Sequence, residues 1–167
     1  MSEPLRLRAI DDEDLAVLAA CLQDALVPVQ DMRYLADESR FVLVVNRFCW
    51  ERLPGARLEA APAADPEAGP FERVHCGLTI EHVRKVQTRG FAAAGADTGA
   101  GDSEKLYEVL TILAEPIATG GAVLTLVFAG EAAVRLDVAQ IEVIASDVGE
   151  PWPTLWRPHH GLDAETP

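Results

Sequence analysis

Basic side chains are scarce in this chain of 167 residues: 14 lysines and arginines stand against 27 aspartates and glutamates, for a formal net charge of −13. A surface with that charge repels the phosphates of nucleic acids and the headgroups of anionic lipids. The composition therefore argues against binding to nucleic acid or to a membrane. A protein is the expected partner, and a small anionic ligand is the alternative.

Long apolar runs and cysteines are also few. No stretch of about 18 apolar residues could span a bilayer, and the first residues lack the basic and apolar regions of a signal peptide. We therefore expect a cytoplasmic protein. The three cysteines, Cys21, Cys49 and Cys76, are far apart in the sequence, which predicts small buried thiols in a reducing compartment.

Motifs for nucleotide binding and nucleophilic catalysis are missing. The chain has neither G-x-x-x-x-G-K-S/T nor G-x-G-x-x-G after a strand, and it has no G-x-S-x-G turn. His75, Cys76 and His82 come nearest to a metal-binding group, but a structural zinc site needs four ligands in paired spacings. The sequence thus predicts no catalytic residue, no metal and no cofactor.

Two segments show helical periodicity. The first follows a short strand at 5–10: Asp11 is a good N-cap, and Pro28 ends the segment. Its apolar residues recur at helical spacing: Leu15, Leu18, Ala19, Leu22 and Leu26. The second begins at Asp137 and ends at Gly149 and Pro151, which predicts a C-terminal helix. A competing interpretation continues the preceding strand through Val143.

Alternating apolar residues predict about six further strands between these helices. The clearest pair is a hairpin, Val29–Ala36 with Arg40–Cys49, around a short polar turn. The second strand of this hairpin is apolar on both faces, which predicts that both faces are covered. Residues 53–70 and 92–103 are rich in proline, glycine or alanine and are predicted to be mobile loops. Residues 151–167 are predicted to be an irregular tail.

This order predicts an α+β fold in a single domain over residues 1–167, with a curled antiparallel sheet of about seven strands, one helix after the first strand and one C-terminal helix. Two architectures fit. A pleckstrin-homology-like barrel is favoured because the last helix is short. The alternative is a helix-grip fold, in which the sheet curls around a helix and can enclose a ligand.

Eight residues have side chains suited to binding: Asn46, Arg47, Trp50, His82, Arg84, Trp152, Arg157 and His160. Arg47 could hold an anion in bidentate fashion or pair with a carboxylate of the chain itself. Trp50 could stack on a ligand or close the end of the sheet. His82, Arg84 and Arg89, with Lys85, form a basic stripe that suits an anion or forms a solvated strand face.

Three segments of the chain, Leu7–Leu15, Val45–Glu51 and Ser146–Trp152, together with the following Arg157-Pro158 and His160, resemble a small uncharacterised bacterial family of domains of unknown function. The likeness covers nearly the whole chain except residues 53–70 and the acidic tail. Because that family has no assigned activity, the resemblance implies neither a substrate nor catalytic residues.

The absence of a reactive cluster on a small antiparallel scaffold favours a non-catalytic, cytosolic interaction or regulatory module. One alternative is a binder of small anions, or an enzyme, that uses a pocket lined by Arg47, Trp50 and Arg84. The other alternative is a subunit of a larger assembly, because Trp152, Leu155 and Trp156 are apolar candidates for contacts with another chain.

Overall fold

The computed structural model describes residues 3–52, 71–91, 105–155 and 158. These residues form one α-helix and ten strands: β1 (Arg6–Ala9), α1 (Asp12–Leu22), β2 (Leu26–Pro28), β3 (Met32–Leu35), β4 (Arg40–Phe48), β5 (Phe71–Ile80), β6 (Val83–Arg89), β7 (Leu106–Pro116), β8 (Ala122–Phe128), β9 (Ala133–Val138) and β10 (Val143–Thr154). Every pairing is antiparallel. The strand order is β1-β10-β5-β4-β2-β7-β8-β9-β6, with β3 beside β4. The predicted α+β class with an antiparallel sheet is therefore confirmed.

Helix α1 forms where the sequence predicts it. The Asp11 side chain accepts a hydrogen bond from the backbone N–H of Asp14 at 2.8 Å, which satisfies one of the free donors of the first turn. The buried stripe comprises Leu15, Leu18, Ala19 and Leu22. The helix ends earlier than Pro28, because Asp24 adopts a φ of 64° and Leu26 already pairs with β4 and β7.

The predicted C-terminal helix from Asp137 to Gly149 is wrong. Residues Val143–Thr154 form β10, which pairs with β1 on one side and with β5 on the other. Two ladders of backbone hydrogen bonds outweigh the local end signals of a helix, since tertiary context overrides weak propensities. The strand also includes the first residues of the predicted irregular tail.

The barrel prediction depended on that helix. A pleckstrin-homology-like barrel needs a C-terminal helix to cap it, and β10 occupies this part of the chain. Within the described residues, the terminal strands β1 and β6 do not pair with each other, so the sheet does not close. The structure therefore supports a ten-stranded open sheet in place of a capped barrel of about seven strands.

The hairpin predicted around residues 37–39 is present as β3 and β4. Phe41, Leu43 and Val45 on β4 are buried, but Val44 on the opposite face is 41% exposed. The prediction that both faces of this strand are covered is therefore wrong.

Strands β5 and β6 together pair with β9 and β10 to make a long two-stranded ribbon. Ile80 at the end of β5 lies opposite Val143 on β10, and Val83 at the start of β6 lies opposite Val138 on β9. The sequence alternates through Val74, Cys76, Leu78 and Ile80 and then changes phase before Val83 and Val86. Between the two strands His82 adopts a φ of 59°, which accounts for this change of phase. We call this element the crossed ribbon. Each of its two segments, β5–β6 and β9–β10, has one strand near the β1 end of the strand order and the other strand at the β6 end.

Buried apolar residues from α1 and from both ends of the sheet order form one core cluster. No helix among the described residues is long and apolar enough to cross a membrane. The predicted loops at 53–70 and 92–103 lie outside the described residues, as do Arg157 and His160.

Candidate functional site

Arg47, at the end of β4, is fully buried, although charged residues seldom lie inside a core. It points to the same side of β4 as Leu43 and Val45, because alternate residues of a strand share a face. Its Nε and Nη2 donate to the two carboxylate oxygens of Asp147 at 3.0 and 2.8 Å. Its Nη1 and Nη2 donate to Glu51, both at 2.9 Å. We call Arg47, Glu51 and Asp147 the Arg47 cluster.

The guanidinium of Arg47 has its carboxylate partners within the Arg47 cluster. Burial alone would lower the pKa of Arg47, but hydrogen bonds to Glu51 and Asp147 and their negative charges outweigh it, so the pKa is raised. Burial would likewise raise the pKa of Glu51, yet the hydrogen bond and charge of Arg47 leave it lowered. Because its guanidinium is bonded to both carboxylates, Arg47 joins β4 to β10 and presents no free guanidinium to an external anion.

Two thiols lie near this cluster. Cys76 on β5 stands opposite Asp147 on β10, and burial, reinforced by the Asp147 charge, raises its pKa to about 12. Burial also raises the pKa of Cys21 in the last turn of α1. Since the thiolate is the nucleophilic form of cysteine, both side chains remain unreactive thiols near neutral pH.

Trp50 and Asn46 also have structural roles at this end of β4. The Trp50 indole N–H donates to the backbone carbonyl of Gln23, just after α1, at 3.0 Å, and its ring contacts Phe48 with centroids 4.6 Å apart. The backbone carbonyl of Asn46 accepts a hydrogen bond from Arg73 at 3.1 Å. These contacts close the end of the sheet, which is one of the two roles predicted for Trp50.

His82 and Arg84 lie at the bend of the crossed ribbon. The Nε2 atom of His82 is 3.1 Å from Glu142 and 2.8 Å from the Gln140 amide. Arg84 donates to Asp137 through Nε and Nη2 at 2.9 and 2.7 Å. Both side chains therefore hold the ribbon together at its bend.

The structure does not assemble the predicted residues into one pocket. Asn46, Arg47 and Trp50 gather at the end of β4, whereas His82 and Arg84 belong to the bend. Trp152 contacts His75 with ring centroids 4.7 Å apart. None of these predicted residues lines the cleft of about 550 Å³ beside the first turn of α1 or the cleft of about 490 Å³ between α1 and β7.

Metal binding finds no support in this part of the chain. Within residues 3–52, 71–91, 105–155 and 158, no three His, Cys, Asp or Glu side chains are close enough to hold an ion.

The sequence does not predict Asp147 as the partner of Arg47. Asp147 lies 100 residues away in a segment whose local pattern is that of a helix.

The sequence patterns also do not predict an exposed surface with apolar side chains on the outer side of the sheet. On the outer side of the sheet, Val42, Thr79 and Ile144 form one cross-strand row, and Val44, Gly77 and Ser146 form the next. We call the valine face the following set of outward-pointing residues on β4, β5 and β10: Val42, Val44, Gly77, Thr79, Ile144 and Val148. Three of them are well exposed, at 41% for Val44, 37% for Ile144 and 54% for Val148.

Arginines flank the valine face on both sides. Arg33 on β3 lies opposite Val42, and Arg6 on β1 lies opposite Ser146. Neither arginine forms an ion pair with any described residue, whereas Arg8, two residues after Arg6 on β1, is bonded to Glu142. The face therefore carries exposed valine and isoleucine side chains on β4 and β10, with Gly77 and Thr79 of β5 between them, and arginines at its two margins.

Comparison with protein families decides the relationship of this chain to others. A family model described as a protein of unknown function, DUF2948, matches residues 5–160. The chain belongs to the DUF2948 family. This match confirms the resemblance to a family of unknown function. Comparison with the curated proteins and with the solved structures gives no match, so DUF2948 membership brings neither an activity nor a set of functional residues.

Proposed function

We propose that this DUF2948 protein is a non-catalytic, cytosolic interaction module that binds a protein partner on the valine face. The exposure of this face carries the proposal. Val44, Ile144 and Val148 are each more than a third exposed, whereas the solvated side of an antiparallel sheet is normally polar. A contiguous exposed apolar surface with a polar rim is typical of interaction sites.

The internal pairing of the predicted binding residues also supports a non-catalytic role. Arg47 is held by two carboxylates, Arg84 is held by Asp137, and the Trp50 indole is held by a backbone carbonyl. An active site needs several polar groups that converge on a reacting atom. These side chains instead point to separate places and bond to the chain itself.

The margins of the valine face favour a particular partner. Arg6 and Arg33 would attract carboxylates that flank the apolar side chains of another protein. A second copy of this chain, packed face to face about a two-fold axis, would bring like surfaces together and would leave these arginines without carboxylate partners on the face. An anionic membrane would be repelled by the net charge of −13.

The position of helix α1 distinguishes the two architectures that the sequence suggests. Helix α1 contacts β1, β4 and β7, and its buried leucines belong to the core beneath the sheet. We infer that the helix-grip arrangement describes this fold better than the pleckstrin-homology-like barrel. An experimental structure in which α1 left the sheet would contradict this inference.

Site-specific cross-linking tests the proposed surface. A photoreactive phenylalanine analogue is placed at Val148, and a matched control is placed at Leu113, which is 52% exposed on β7. After irradiation in the cells that produce the protein, we expect one defined adduct from position 148 and none from position 113. An adduct at both positions, or at neither, would count against the valine face.

Lysine substitutions provide a second test of the valine face. Val44→Lys/Val148→Lys should abolish retention of the cross-linked protein on the immobilised chain, while Leu113→Lys should leave it unchanged. All three positions are exposed, so each variant should melt close to the unmodified protein. Equal retention by the double variant would show that the partner binds elsewhere.

A further inference from the structure

Strand β6 ends the strand order and pairs with β9 alone among the described strands. Alternate N–H and C=O groups of such a strand point away from its single neighbour and can accept another strand. Among the described residues, this edge has backbone or side-chain partners only at its beginning: the Val83 N–H donates to the Ser39 carbonyl at 2.8 Å, and the Val83 carbonyl accepts from the Tyr34 hydroxyl at 3.3 Å. The following positions, Arg84–Arg89, are exposed except for the half-buried Val86.

Positive charges line this edge. Lys85 and Arg89 on β6, and Arg135 on β9 opposite Gln87, point to the outer side of the sheet. All three are exposed, and none of them has an ion-pair partner among the described residues. Asp137 on β9 lies directly opposite Lys85, but its carboxylate is bonded to Arg84. In a chain with 27 carboxylates, three cations without an ion-pair partner among the described residues are a distinct local feature.

We propose that β6 binds an acidic, extended segment of another protein, which joins the sheet as an additional strand. Backbone hydrogen bonds from the free edge would supply affinity, and the cations would select the sequence. Lys85 and Arg89 lie four residues apart, so their Cα atoms are separated by roughly 13 Å along the strand. Carboxylates four residues apart on the added strand would match them, and one between them would lie opposite Gln87, two strands and roughly 10 Å from the Arg135 backbone.

The same cations explain why the edge does not bind strands indiscriminately. Charged side chains on an edge strand oppose uncontrolled pairing, and like charges directly opposite each other destabilise a sheet. An apolar or basic strand would leave Lys85 and Arg89 unpaired, whereas an acidic strand would pair with both. This inference uses residues outside the valine face and does not depend on the proposed function.

Binding of a synthetic peptide tests the proposal. The probe is a nine-residue peptide of alternating glutamate and threonine, which has no apolar side chain to bind the valine face. Titration is followed by calorimetry, and amide hydrogen exchange locates the bound strand. We expect binding by the full chain, with added protection at the amides of β6. We expect the affinity to fall about tenfold in Lys85→Glu/Arg89→Glu, because two attractive cross-strand pairs become repulsive.

The matched control is Arg6→Glu/Arg33→Glu, which changes the net charge equally at the valine face and should keep the affinity within about twofold. Arg135→Glu, on the neighbouring strand, should weaken binding to an intermediate degree. Equal weakening by both double variants, or protection away from β6, would overturn the proposal. Tighter binding of a ten-nucleotide oligothymidylate than of the peptide would also overturn it. Self-association of the unmodified chain that is lost in Lys85→Glu/Arg89→Glu would show that a second copy is the occupant.

Discussion

At the scale of single residues, the charged groups that look most functional turn out to stabilise the fold. Asp147 accepts two hydrogen bonds from Arg47 and one from the backbone N–H of Leu5 at 2.9 Å. It therefore ties β4 and the start of the chain to β10. Glu51 completes the charge balance of Arg47 from a much more exposed position, with 46% of its side chain accessible.

The two carboxylates should therefore differ in their contribution to stability. Asp147→Asn removes the buried counter-charge of Arg47, so we expect the free energy of unfolding to fall by about 3–5 kcal/mol. Glu51→Gln acts on a half-exposed partner, for which we expect a loss of no more than about 1 kcal/mol. Urea unfolding followed by circular dichroism measures both. A larger loss for Glu51→Gln would contradict this order.

Cys76 gives a prediction in the alkaline range. Its pKa is about 12 in the folded protein, against an ordinary value of 9.0, so the unfolded chain loses the thiol proton first. The free energy of unfolding should consequently decrease as the pH rises from about 9 towards 12.

The variant Cys76→Ala isolates this effect. It loses packing at every pH, but it has no thiol to titrate, so the stability difference between it and the unmodified protein should shrink between pH 7.5 and pH 10. Urea unfolding at both pH values gives the two differences. A difference that stayed constant would show that Cys76 does not titrate differently in the two states.

At the scale of elements, pairing with distant strands determines the secondary structure of segments whose local sequence pattern is ambiguous. Residues Asp137 to Gly149 have the spacing and end signals of a helix, but Val143–Thr154 forms a strand between β1 and β5. The β7–β8 turn, in contrast, depends on a local feature: Gly120 and Gly121 have φ values of 105° and 89°, which side chains rarely adopt.

These neighbouring glycines provide a matched pair of variants. A Cβ on Gly121 would lie 2.2 Å from the Val138 carbonyl oxygen and 2.7 Å from Arg84 Nη2, whereas a Cβ on Gly120 would meet nothing within 4 Å. Gly120→Ala should cost about 1–2 kcal/mol of backbone strain. Gly121→Ala should cost roughly 1–3 kcal/mol beyond that for the displaced atoms. Thermal unfolding compares the two, and equal losses would show that the turn simply shifts to make room.

These elements also show how far the sequence alone predicts this molecule. The cap of α1, the β3–β4 hairpin and the alternation of β5 depend on near neighbours and were predicted. The partners of β10 and of Arg47 are distant in sequence, with Asp147 100 residues from Arg47, and no local pattern specifies them. The valine face was missed for a related reason: an apolar strand looks the same whether or not its second face is covered.

At the scale of the whole molecule, the crossed ribbon joins the two ends of the strand order. Its strands contribute to a core cluster that also includes α1, β4, β7 and β8. Neither end can lose its strands without exposing apolar surface of the other.

We therefore expect one cooperative unfolding transition, as for a single domain. Tryptophan fluorescence reports on the three tryptophans, of which Trp50 follows β4 and Trp152 lies in β10, and far-ultraviolet circular dichroism reports on all strands. The two urea curves should coincide. A fluorescence transition that was complete while circular dichroism still changed would show that the β7–β9 part unfolds separately.

The position of β10 has a consequence for the order of events during synthesis. The first strand, β1, and the middle strand, β5, both take the last strand as a neighbour. A growing polypeptide therefore cannot complete this sheet until β10 has been synthesised. Until then β1 and β5 each lack the neighbour that β10 provides, and their unpaired edges are open to chaperones and to misassembly.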